Sequence, residues 1–111
     1  MDKTEELLRR LALNDERAVA SVLGSDPSAE RIPPLDRKTR ALVRLGALLA
    51  VGAGTTSLRW MTEVAYDAGA TEEEIVGVLV AVAPEVGCAG VVRQAPGLAL
   101  AIGYDVEDVV G

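Results

Sequence analysis

Between Ile75 and Tyr104 the chain is almost wholly apolar, and the few residues that interrupt this stretch decide what it can become. A membrane-spanning helix needs about 20 predominantly apolar residues in a row. Here Pro84 and Glu85 break the run early, and Arg93 and Gln94 break it again. The stretch is therefore predicted to fold as a buried helical hairpin and not to cross a bilayer. Its first helix has the best-marked start in the chain. Thr71 and Glu74 fit the capping box, in which each side chain satisfies a backbone donor of the other residue. Ile75, Val76, Val78, Leu79, Val80 and Val82 have high strand propensity, but the cap and the lack of alternating polar residues favour helix. Pro84 is expected to kink or end it. Gly87 and Gly90 allow close backbone packing. A further helix then runs to about Ile102, with a bend expected at Pro96 and Gly97, and Asp105 to Val110 forms a short terminal turn or helix.

The upstream punctuation is also helical. A first helix is predicted from about Thr4 to Leu13, capped by Thr4 or Asp2, with Leu7, Leu8 and Leu11 as its apolar stripe. Asn14 reads as the N-cap of a second helix that reaches Leu23 and stops at Gly24. Ser25 to Pro34 is a loop, because Asp26, Pro27, Pro33 and Pro34 suit no helix interior. Asp36 is the expected N-cap of a third helix, running to Val51. Leu42, Leu45, Gly46 and Leu49 fall on one of its faces, and Arg37, Arg40 and Arg44 on another. Gly52 to Thr56 is a break. A fourth helix spans about Thr56 to Ala68, burying Leu58, Met61, Ala65 and Ala68, and Gly69 is placed to end it in the left-handed conformation. The whole is an all-α chain of about six helices. It is read as one domain over residues 1–111, with an N-terminal helix pair (4–24) and a core (35–111).

Half of the residues are hydrophobic, yet only 3% are aromatic and there is no Phe. Small side chains fill little volume each, so the helices must approach closely to exclude water. Surplus apolar surface of this kind suits burial against copies of the same chain, and a homo-oligomer is expected. The net charge of −6 argues against nucleic acid, since phosphate binding needs a positive patch. The local bases Arg37, Lys38, Arg40 and Arg44 are read as a solvated helix face. Cys88 is the one cysteine and can form no intrachain disulfide. No signal-like apolar run follows the charged residues Asp2 to Glu6, so a cytoplasmic location is expected.

The segments LDRKTRALVRLGALLAVG (35–52) and AGATEEEIVGVLVAVAPEVG (68–87) resemble the carboxymuconolactone decarboxylase family, which includes the alkylhydroperoxidase D-like proteins. The similarity continues more loosely to Tyr104. It implies a compact multi-helix alkylhydroperoxidase D-like fold, assembled as trimers or hexamers, with a small pocket beside the helix that carries the functional motif. In redox members of the family that motif is Cys-X-X-Cys followed by His, and decarboxylase members keep a His in the region. Carried onto this sequence, the thiol positions fall near Ala53 or Gly54 and at Thr56 or Ser57. The imidazole position falls at Trp60 or Met61, and the upstream activating acid near Ala41 or Leu42. None of these residues can form a disulfide or shuttle a proton near neutral pH, and the chain has no His at all. Thiol peroxidase activity is accordingly not expected.

Other chemistry must come from carboxylates. Without His and with a single Cys, no metal site is expected, and no cofactor is implied. Glu72, Glu73 and Glu74 suit the positive end of a helix dipole. Cys88, among small and apolar neighbours, reads as a buried small hydrophobe. The pair of glycines at Gly52 and Gly54 has the look of a phosphate loop, but no Walker lysine follows and no strand precedes it. Glu63, with Arg59 one turn before it, is either half of an exposed ion pair or a general base raised by burial. Glu85 stands in an apolar setting, either paired with Arg93 across the hairpin or serving as a pocket acid. Trp60 and Tyr66 could line a ligand pocket or serve core and interface packing.

Two functions follow. One is a non-catalytic or diverged oligomeric member of the family, an interaction partner rather than a thiol peroxidase. The other is a lyase- or isomerase-type acid/base enzyme acting on a small carboxylate or lactone near Trp60. In that enzyme Glu63 or Glu85 is the base, and Arg40, Arg44 or Arg59 holds the anion. An enclosed pocket with a partly buried carboxylate would favour the second.

Overall fold

The computed structural model describes residues 2–24 and 35–104, all of whose regular structure is helical. The predicted loop at Ser25–Pro34 and the predicted terminal turn at Asp105–Val110 lie outside the described residues. The chain divides into two compact units, residues 1–35 and 36–111.

The first unit is a helical hairpin. Asp2 caps α1 (Lys3–Ala12), accepting from the Glu5 N–H at 2.7 Å, which settles the choice between Asp2 and Thr4. The cap of α2 (Glu16–Leu23) is Asp15 and not Asn14. Asn14 instead takes a left-handed backbone (φ 57) in the turn, a conformation that Asn tolerates better than most residues. Asp15 has a second role. Besides accepting from the Arg17 and Ala18 N–H groups, it accepts from Arg10 Nε at 3.0 Å and so ties the two helices together. Leu7 and Leu11 are half-buried as their spacing predicts, but Leu8 is exposed.

The second unit is a four-helix bundle: α3 (Arg37–Val51), α4 (Thr55–Asp67), α5 (Glu72–Val86) and α6 (Cys88–Ala101). Helix α3 packs on α4 and α5, and α6 on α4 and α5. Lys38 and Glu74 meet near the starts of α3 and α5, while Gly46, further along, faces Val78 and Val82. These two helices therefore run in the same direction. A Cβ at Gly46 would stand 3.3 Å from a methyl of each valine, so the glycine sets how closely α3 and α5 approach. The core holds Leu45, Leu49, Leu58, Met61 and Ile75, with Ala41, Ala65 and Ala70 filling small gaps. Each fully buried large side chain contributes about 1.5–3 kcal/mol.

The capping box forms as predicted: Thr71 Oγ1 accepts from the Glu74 N–H at 3.1 Å, and the Thr71 N–H donates to Glu74 Oε1 at 2.9 Å. The β-branched run after it is helical. Pro84 does not end α5, which continues to Val86 and stops at Gly87 (φ 83). Pro96 likewise lies within α6. A proline deprives the carbonyl four residues earlier of its usual donor. Here those carbonyls belong to Val80 and Val92, which are 68% and 67% exposed, so water can take the place of the missing N–H. The α5–α6 hairpin is less buried than its composition suggests. Only Ile75, Gln94 and Leu98 are fully enclosed, while Val76, Val80, Val92 and Leu100 face outward. None of the described helices is long and apolar enough to cross a membrane.

Candidate functional site

The positions that matter chemically lie where α3 gives way to α4. Gly52 ends α3 in a left-handed conformation (φ 76), its N–H directed at the Leu48 and Leu49 carbonyls. Gly54 is the N-cap of α4 and has no side chain to cap with. The first three N–H groups of a helix have no intrahelical acceptor, and the first backbone bond of α4 runs from the Leu58 N–H to the Gly54 carbonyl at 3.1 Å. The thiol positions implied by the resemblance are thus occupied by groups at or near the surface: Gly54, Thr56 and Ser57 are exposed and Ala53 is half-buried. At the imidazole position, Trp60 turns outward and is 54% exposed, while Met61 is sealed in the core.

Of the candidate binding residues, the fold brings two together. Arg44 of α3 places its guanidinium over the Trp60 ring of α4, 5.7 Å from the ring centre. Arg40, half-buried, is on the same helix as Arg44. Arg59, Glu63 and Tyr66 are exposed on α4, and no ion pair links Arg59 to Glu63 among the described residues. The Tyr66 phenol is pushed up from its ordinary value, by partial burial first and by the Glu72 carboxylate second. Glu85 is exposed near the end of α5 and does not pair with Arg93, which is also exposed. The expected apolar enclosure of Glu85 is absent because the outer face of the hairpin is open to solvent. Cys88 is likewise exposed, at the start of α6, and is not a buried hydrophobe. Two surface depressions, one lined by Asp2, Leu7, Arg10 and Arg17 and one by Glu72, Val76, Val80 and Tyr104, include none of the candidate site residues.

Sequence reasoning passed over three features. The basic face of α3 is not merely solvated: Lys38 Nζ donates to Glu74 Oε2 at 3.0 Å, joining α3 to the capping box of α5. Backbone donation from Thr71 and the ammonium of Lys38 hold the Glu74 carboxyl below its usual range. Thr62 is 0% exposed and its Oγ1 has no partner, and Gln94, 6% exposed, buries an unpartnered Oε1. Spacing contains the signal for both. Thr62 shares a stripe with Leu58 and Ala65, and Gln94 shares one with Val91 and Leu98, so each is a polar residue on an apolar face. Among the described residues no group of three or more Asp, Glu, Cys or His side chains is gathered to hold a metal.

A family model described as the carboxymuconolactone decarboxylase family matches residues 28–99. No curated protein and no solved structure matches the chain.

Proposed function

The chain belongs to the carboxymuconolactone decarboxylase family, and from that premise we propose that it is a diverged, non-catalytic member that works as a self-assembled scaffold. One observation carries this reading. The α3–α4 link and the helix after it hold glycine, hydroxyls, an outward indole and a buried thioether, with no thiol or imidazole at any of these positions. A thiol peroxidase needs a thiolate, and the only sulfhydryl, Cys88, begins a different helix. Support for assembly comes from apolar residues left outward on the bundle: Val43, Val51, Trp60, Val80 and Val92. A trimer or hexamer would cover such surfaces.

The alternative is acid/base catalysis on a small carboxylate or lactone. What favours it is the Arg44–Trp60 pair, a guanidinium held at the surface with Glu63 one turn further along α4. In a single chain Glu63 and Glu85 both stand exposed to solvent, with nothing enclosing either carboxylate against a substrate. That enclosure would have to come from a second copy.

Sedimentation of the purified chain, together with a dithiol-dependent peroxide reduction assay and a panel of lactones and small keto acids, separates the readings. A scaffold gives a defined oligomer and no turnover. Turnover lost in Glu63→Gln or Glu85→Gln establishes the alternative, and robust thiol-dependent peroxide reduction overturns both.

A further inference from the structure

The outer face of α5 forms a shallow groove floored by Val76, Val80 and Ala81, with Tyr104 at its side and Glu72 and Glu73 at one end. Helix α5 carries acids and no base, and neither Glu72 nor Glu73 makes an ion pair among the described residues. Gly77 lies in the same groove, with nothing within 4 Å of its Cβ position. A glycine inside a helix is less stable than an alanine there. Gly46 is needed against Val78 and Val82, but the protomer's own packing makes no such demand at Gly77. Its bare backbone leaves room for another helix to come close. Val80, whose carbonyl lacks its helical donor because of Pro84, also lines the groove.

The outer face of α3 is the complement. Helix α3 carries Arg37, Lys38, Arg40 and Arg44 and no acid. Arg37, Val43, Arg44, Ala47 and Val51 are exposed, with Arg40 half-buried on the same helix. On both helices charge precedes apolar surface, and the spacing is the same. Arg40, Val43 and Ala47 stand three and then four residues apart, as do Glu73, Val76 and Val80. Laid side by side in the same direction, the two faces oppose base to acid and apolar residue to apolar residue. Guanidinium groups also bring the N–H donors that the Val80 carbonyl lacks. The residues that follow Tyr104 suit the groove less well, because Asp105, Glu107 and Asp108 repeat the charge of Glu72 and Glu73.

We propose that the α5 groove of one copy receives the outer face of α3 from a second copy, the helices running parallel, with arginines against Glu72 and Glu73 and Val43 and Ala47 against Val76 and Val80. The contact rests on the self-assembly proposed above and names the surfaces that carry it. It joins unlike faces, so each protomer offers a groove to one neighbour and a helix to another, an arrangement that closes as a ring where the rotation allows.

The test is sedimentation velocity of the full chain over a range of concentrations, at low and at high salt, with circular dichroism as the check that each variant is folded. Glu73→Arg and Arg40→Glu should each weaken association about tenfold or more, because each sets like charges against one another. The chain that carries both substitutions should recover assembly, since acid and base have only changed sides. High salt should shift the parent toward smaller species by screening the exposed pairs. Gly77→Leu is the variant least able to disturb the fold, because the space around its Cβ is open and leucine favours helix. It should keep the helical spectrum and lose assembly by filling the groove. A parent that stays monomeric overturns the contact together with the assembly it rests on, and leaves the groove to a basic helix of a different protein. A parent oligomer that all three single substitutions leave unchanged overturns the contact alone, and so does a doubly reversed chain that assembles no better than the single reversals. Self-assembly would then run through another face.

Discussion

Arg44 and Trp60 show how one pair of side chains can hold a surface in order. The guanidinium covers part of an indole that would otherwise lie open, and such a contact is worth about 0.5–1 kcal/mol at an exposed site. Arg44→Ala should lower stability by about that amount and change the emission of the single Trp, which denaturant titration followed by fluorescence would record. Gly46 should be far less tolerant. Its position 3.3 Å from methyls of Val78 and Val82 leaves no room for a branched side chain, so Gly46→Val should cost about 1–3 kcal/mol by forcing α3 and α5 apart; unchanged thermal stability would contradict this packing. The sequence shows Gly46 on the core face of its helix, but not that it meets two valines there. Trp60 is a similar case. The resemblance puts it or Met61 at the family's imidazole position, whereas its outward orientation depends on Met61, beside it, taking the core. The apolar neighbours of Glu85 in sequence suggest enclosure, but Val82, Ala83 and Val86 are half-buried while Glu85 itself lies on the open face of α5.

Helix starts were the most legible part of the elements, because a cap is a local device that needs only residues within one turn of each other. Asp36, Thr71 and Glu74 sit where their side-chain chemistry requires. Asn14 and Asp15 were the ambiguous case: either can cap, and the left-handed turn before α2 assigned Asn to the strained position and Asp to the cap. What no local pattern could reveal is the long-range partner of a cap. Lys38 reaches Glu74 from another helix, so the box at the start of α5 also fastens α3. Three carboxyls in such settings are held below their usual range: Asp15 chiefly by Arg10, Asp36 chiefly by the Thr39 N–H, and Glu74 chiefly by the Thr71 N–H. A depressed carboxyl stabilises the fold above its unfolded-state value, and that contribution is lost as pH falls through the depressed folded value. Stability should therefore be flat from neutral pH down to the ordinary carboxylate range and decline below it. Glu74→Gln should make the acid side of the profile shallower, measured as Tm against pH. A variant with the parent's full acid dependence would remove Glu74 from this role.

At the level of the whole molecule, composition signalled the kind of core without specifying its size. A chain rich in Ala, Val and Leu and without Phe does pack helices closely, with alanines among its buried residues. The same economy leaves Val43, Val51, Val80 and Val92 on the outside. On the assembly proposed above, replacing Val43 by Lys on the outer face of α3 should leave the folded bundle intact and shift sedimentation toward smaller species; unchanged sedimentation would show that α3 is not at such an interface. The outer faces of α5 and α6 impose a stricter condition. Pro84 and Pro96 strip the Val80 and Val92 carbonyls of their helical donors, and both sit on solvent-facing residues. A wholly greasy neighbour laid over these helices would dehydrate two lone acceptors, a loss of about 1–3 kcal/mol apiece. Any lasting companion for this flank must therefore carry N–H or O–H groups matched to those two oxygens, or leave water trapped in the seam, so that recognition here is decided by register and not by oiliness alone.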